Sequence, residues 1–152
     1  MFTFKGMYHL VYTSHATAPL SEEDLIQLLE ECRALNKEHG ISGMLLYLQG
    51  KFIQVLEGNK LEVQALYANI QKDPRHRRVT KVIEGNSPHR IFKGWSMGFK
   101  KLTEEEFHNI SGLQDIDTFF REQKLTEQSS LVLIFLKLFY EKNMVDYSEL
   151  TG

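Results

Sequence analysis

From Met7 to Thr13 the chain alternates, with Tyr8, Leu10 and Tyr12 on one side and His9, Val11 and Thr13 on the other. A period of two in aromatic and β-branched residues predicts a strand. Ser14–Pro19 reads as a loop. From Ser21 the period changes: Leu25, Leu28, Leu29, Cys32 and Leu35 recur at helical spacing. Ser21 and Asp24 form a capping pair at the start, and Gly40 supplies the stop. Ile41–Leu48 and Lys51–Leu56 are short apolar runs joined by Gln49-Gly50, which predicts a hairpin. Phe52, Gln54 and Leu56 share one face of it, Ile53 and Val55 the other, so both faces need cover. Asn59 with Glu62 caps a second helix whose stripe is Val63, Leu66, Tyr67 and Ile70, ended by Asp73-Pro74. Val79–Glu84 predicts a fourth strand, Gly85–His89 a turn, and Arg90–Phe99 a fifth strand with Trp95, Met97 and Phe99 on one side.

The order βαββαββ, with two helices on one face of a mostly antiparallel sheet, predicts a ferredoxin-like α+β sandwich. Residues 1–102 make that domain. Residues 103–152 change character: Glu104–Asn109 and Thr118–Gln123 are polar-amphipathic, and Ser130–Lys142 is strongly apolar. The uncovered face of the hairpin needs a partner, so these C-terminal helices are expected as a cap on the back of the sheet, with fraying from about Asp146.

Composition narrows the function. A chain of 152 residues with 42% hydrophobic residues supports one core without staples. Eighteen Lys+Arg against twenty Asp+Glu give a formal charge of -2, which argues against direct nucleic-acid binding. The longest apolar run, Leu131–Leu136, is far short of the roughly 20 residues of a membrane span, so no membrane partner is expected. Cys32 is the only cysteine, too few for a disulfide framework or a cysteine-rich zinc site. No secretory signal opens the chain, and a cytoplasmic setting is expected. The six histidines show no metal-ligand spacing.

Three polar side chains fall on the inner side, between helices and sheet. Asn36 lies eleven residues after Leu25, about 20° from it around the helix, and so ends the apolar stripe. Tyr12 and Gln54 lie on inward strand faces. A buried amide with unmet hydrogen bonds costs about 1–3 kcal/mol. Each group can be met by backbone or water. Together they also suit the edge of a planar ligand bearing carbonyl and N–H groups.

Five stretches carry a resemblance: LVYTS (Leu10–Ser14), Asn36 four residues before GISG (Gly40–Gly43), FIQVLEG (Phe52–Gly58), KDPRH (Lys72–His76) and GWSMGF (Gly94–Phe99). In this order, over about residues 7–100, the chain resembles the BLUF family of blue-light sensors that bind flavin. The resemblance implies FAD, with FMN possible, held between the two helices. It implies roles for Tyr12, Gln54 and Asn36 at the ring edge, Leu28 and Ile70 beside the ring, and Asp73, Arg75 and His76 near the ribityl and phosphate arm. Trp95 and Met97 match the family's switch positions on the last strand. Leu35 and Cys32 depart from the pattern, at positions that are often polar or hydroxyl-bearing.

The implied chemistry is light-driven proton-coupled electron transfer from Tyr12 to the flavin, with Gln54 relaying the proton. Gln54 then rests in a changed hydrogen-bonding arrangement, and the flavin absorption shifts red. The chain is not expected to be an enzyme, and no attached output domain is expected. The signal should leave through the last strand and C-terminal helices to a protein partner or a homo-oligomer. The rival readings are a non-photoactive flavin redox protein and a ligand-binding module on the same scaffold. An RNA-recognition module lacks its aromatic signature here. A hydrolase of the acylphosphatase type rests on fold analogy alone.

Overall fold

A computed structural model describes residues 7–87, 90, 92, 96–101, 103, 105 and 145–146. The element order is β1 (Met7–Ala16), α1 (Glu22–Glu38), β2 (Ser42–Leu48), β3 (Lys51–Gly58), α2 (Lys60–Lys72), β4 (His76–Ser87), β5 (Gly98–Lys101) and β6 (Val145–Asp146). The strands form one sheet in the order β4-β1-β3-β2-β5-β6. The first four pair antiparallel and β5 runs parallel to β2, so the sheet is mixed. The α+β, ferredoxin-like architecture is the expected one. The proposed cap over 103–152 and the helices Glu104–Asn109, Thr118–Gln123 and Ser130–Lys142 lie outside the described residues, apart from isolated positions and β6.

Local chemistry explains most boundaries. Ser21 accepts from the Asp24 amide, and Asp24 reciprocates to the Ser21 amide, closing a full capping box. Gln49 and Gly50 both take positive φ, 48° and 76°, the twist that a two-residue hairpin loop requires. Asn59 caps α2 by accepting from the Leu61 amide at 3.0 Å. Glu62 does not complete a box there. It pairs with His39 at 2.7 Å instead, tying α2 to the end of α1. A Cβ on Gly43 would stand 2.0 Å from the Val55 carbonyl oxygen, so β2 reaches β3 closely only because this residue has no side chain.

Three strand bounds are corrected. The first strand continues past Thr13 to Ala16, because the Ala16 amide bonds Gly50 and His15 pairs with Lys51. The fourth strand runs His76–Ser87 rather than Val79–Glu84, following β1 through two register shifts. The fifth strand is Gly98–Lys101 and not Arg90–Phe99. Arg90, Phe92, Ser96 and Met97 lie outside any strand and are held by side-chain bonds described below. Val145–Asp146 pairs antiparallel with β5; the residues beyond it, where fraying is expected, lie outside the described residues.

The main core lies between the helices and the sheet. Leu10, Phe52, Leu56 and Val63 are all but fully enclosed there, with Leu25, Leu28 and Leu29 from α1. The opposite sheet face is also buried, at Val11, Met44, Leu46 and Ile53. Among the described residues no helix is long and apolar enough to cross a membrane.

Candidate functional site: a slot between two helices

The floor of the site follows from strand register. β1 and β3 place Tyr12 directly opposite Gln54, and β2 places Leu45 on the other side of Gln54. Directly opposed residues share a face, so phenol and carboxamide meet on the helix side. The Tyr12 hydroxyl donates to Gln54 Oε1. Gln54 Nε2 donates to the Met97 sulfur at 3.4 Å. Tyr12, Gln54 and Met97 are 1%, 3% and 1% exposed, so this chain of contacts is closed to water.

The helices make the walls. From α1 come Leu28, Cys32, Leu35 and Asn36; from α2 come Leu66, Asn69 and Ile70. Asn36, in the last turn of α1, is 1% exposed and donates from Nδ2 to the Ser96 carbonyl at 2.7 Å. The amide expected at the end of the stripe thus does face inward. In α2 the fully buried positions are Val63 and Tyr67. Leu66 and Ile70 of the predicted stripe are only half-buried and border the slot.

Asp73, Arg75 and His76 stand at the exposed end. Arg75 forks onto both Asp73 carboxylate oxygens at 2.7–3.1 Å and reaches Glu31 on α1 at 2.8 Å. The ion pair therefore crosses from the α2 exit to α1. Hydrogen bonding from Arg75 holds the Asp73 carboxyl below its usual range. Burial pushes the His76 imidazole down, against the attraction of Asp73. Its Nδ1 lies 3.1 Å from Ser14 Oγ. Burial also drives the Tyr12 phenol well above its usual range, helped by Cys32, Tyr67 and Asp73. Cys32 is pushed up to about 11, chiefly by burial, so it stands as a neutral thiol.

The slot encloses about 100 Å³ of free space, less than the roughly 300–1,000 Å³ of a typical ligand pocket. Leu66 and Ile70 border the slot half-buried, and Leu35 borders it exposed. The donor set suits a flat heteroaromatic ligand: aliphatic flanks, a carboxamide–phenol pair at the inner end and a guanidinium at the outer end.

Of the residues singled out from sequence, Tyr12, Leu28, Asn36, Gln54, Ile70, Asp73, Arg75 and His76 border this one slot. Met97 touches it through Gln54, and Trp95 lies outside the described residues. Sequence reasoning missed Glu31, which sits on the polar side of α1 and becomes relevant only through Arg75. It also missed the Ser96 carbonyl, which as backbone carries no residue-type signal. Among the described residues no cluster of His, Cys, Asp or Glu could hold a metal ion.

Fold and slot together define a small α+β domain with an apolar-walled slot between its two helices. The family model described as "Sensors of blue-light using FAD" matches residues 7–98, and the chain belongs to this BLUF family of flavin-binding blue-light sensors. Photoactivated adenylate cyclase subunit beta of Euglena gracilis is 37% identical over 108 residues, covering 70% of this chain and 12% of that protein. This chain therefore spans only a small part of its cyclase relatives. The photo-activated state of BlsA superimposes with a TM-score of 0.69 at 27% identity, covering 90% of this chain and 96% of that one. Klebsiella pneumoniae BlrP1 with FMN and cyclic diGMP gives a TM-score of 0.58 at 31% identity, over 77% and 29% of the two chains.

Asn36→Ala removes a buried bond worth about 1 kcal/mol and frees the Ser96 carbonyl. The expected result is flavin held several-fold more weakly, or faster dark recovery, checked by fluorescence titration and by the decay of the illuminated spectrum. Unchanged values for both would remove Asn36 from the site.

Proposed function

We propose that this chain is a blue-light photoreceptor in which Tyr12 and Gln54 carry the light reaction, and that it is not itself an enzyme. The observation that carries the reading is the closed chain Tyr12–Gln54–Met97 on the slot floor. A bound flavin supplies light absorption and a strongly oxidising excited state; the protein tunes and gates it.

The residues' own part follows from their environment. The Tyr12 phenol is buried and its pKa raised, so at neutral pH it is fully protonated. Losing an electron alone would leave a cation in an apolar site, which is costly. The electron therefore leaves only if the phenolic proton moves with it, and the acceptor in contact is Gln54 Oε1. Gln54 can relay that proton and return it. Two resting states are open to it because a phenol oxygen both donates and accepts. In the observed state the Gln54 carbonyl faces Tyr12 and its amide faces the Met97 sulfur, a weak acceptor. In the rotated or tautomeric state the Tyr12 oxygen accepts and the contact with Met97 changes. Such a swap is a local hydrogen-bond event able to bias a two-state element.

Leu28 and Ile70 would flank the ring, and Asn36 would hold its polar edge. Arg75 and His76 would meet the phosphate-bearing arm, with Asp73 orienting Arg75. FAD is the proposed flavin, in keeping with the family description; FMN, which accompanies the structural neighbour BlrP1, is the second. The signal is proposed to leave through Met97, Trp95 and β5, toward a protein partner or a second copy of the chain. The test is the absorption of purified, flavin-loaded protein before and after blue light. A reversible red shift supports the reading. Light-driven reduction without a shift would make the protein a redox carrier, and absence of flavin would make it another kind of binding module.

A further inference from the structure

Glu57 lies three residues beyond Gln54 on β3, so their side chains leave the strand on opposite faces. Gln54 faces the slot, and Glu57 faces the back of the sheet beside Ser42, with His9 opposite in register. Glu57 is a carboxylate only 1% exposed. Its Oε1 accepts from Ser42 Oγ at 2.9 Å and from the Phe92 backbone amide. Arg90 donates to Ser42 Oγ at 2.6 Å and to the Gly40 carbonyl at 3.0 Å. Residues 90 and 92 are thus fastened to β2 and β3 by side chains where no strand pairing holds them.

Ser96 and Met97 are held differently, by the Asn36 bond to the Ser96 carbonyl and by the Gln54 amide on the Met97 sulfur. Ser96 Oγ is buried with no hydrogen-bond partner among the described residues. A buried hydroxyl left unpaired in one arrangement gains from any other that pairs it.

We propose that Glu57 is a positioning residue for signal output: it pins Phe92 to β3 directly and Arg90 through Ser42, so a change at Gln54 displaces Ser96 and Met97 while Arg90 and Phe92 stay in place. This rests on the light reaction proposed above. One strand then carries both the trigger, Gln54, and the anchor, Glu57.

The test uses the full-length, flavin-loaded protein with Glu57→Ala and Glu57→Gln. Losing the carboxylate acceptor should speed exchange of the Phe92 amide in the dark by about ten-fold or more in the alanine variant. The glutamine variant, whose carbonyl still accepts, should stay near the parent. Under blue light the alanine variant should keep its red shift, since Glu57 does not touch the slot. Its light-induced change in Trp95 fluorescence should be lost, and the glutamine variant should restore it. If Glu57→Ala does not fold, Arg90→Ala, which frees residue 90 from Ser42 and Gly40 at a less buried position, should likewise lose the light-induced Trp95 response while leaving Phe92 exchange near the parent. Parent-like Phe92 exchange in Glu57→Ala, or a parent-like Trp95 response in either alanine variant, would overturn the proposal. The Phe92 measurement is made in the dark, so a parent without any red shift would sink the light reaction and leave the anchor to be judged separately.

Discussion

Tyr12→Phe is expected to keep the fold and the flavin but to yield no red-shifted state under blue light. The ring remains, so the packing of residue 12 against Tyr67, with centroids 5.6 Å apart, is preserved. The hydroxyl alone is lost. Gln54 Oε1 loses its donor, at a cost of about 1–3 kcal/mol for a buried polar atom left unpaired, which a domain with this core tolerates. A phenylalanine has no dissociable proton and is far harder to oxidise, so neither part of the coupled transfer can start from it. The check is the light-minus-dark absorption spectrum of the purified variant, beside a flavin-release assay showing equal loading. A parent-like shift would remove Tyr12 as donor and leave its bond to Gln54 a structural one.

Gln54→Leu should abolish the shift just as completely, by a different route. Leucine fills much the same volume on β3, but it neither accepts from Tyr12 nor donates to Met97. The phenol is left buried without an acceptor, so its proton has nowhere to go when the electron would leave. The expected stability loss is about 1–3 kcal/mol, read as a lower melting temperature. Flavin should still bind through the aliphatic walls, somewhat more weakly. A persisting red shift would show that the spectral change does not arise from a turning carboxamide. The two substitutions differ in one respect: the leucine variant retains an oxidisable Tyr12, so any residual light-driven electron transfer should appear there and not in Tyr12→Phe.

What is legible in the sequence is whatever rests on local pattern. The alternation in Met7–Thr13 and Lys51–Leu56 places Tyr12 and Gln54 on inward faces, and helical spacing places Asn36 at the end of the α1 stripe. The Gln49-Gly50 turn sets the β2–β3 hairpin, whereas the β1–β3 pairing that brings Gln54 opposite Tyr12 comes from the structure. Motif order supplies the flavin. What stays hidden rests on distant partners. Arg90–Phe99 is rich in aromatic and apolar residues and reads as a strand, yet its Phe92 amide is held by the Glu57 side chain, 35 positions away. Glu62 looks like a capping residue until His39 is nearby. The His76–Arg78 end of β4 lies outside the predicted strand Val79–Glu84, because the pairing of His76 and Arg77 depends on β1 continuing to Ala16. The two-residue strand β6 is too short to carry any period.

One measurement decides most directly whether light turns Gln54 beside the flavin: the visible spectrum of the full-length protein loaded with FAD, recorded in the dark, after blue light and again after a dark interval. The expected result is a flavin absorption band that moves to longer wavelength without bleaching and returns fully. A band that bleaches, or does not move while flavin is demonstrably bound, would contradict it.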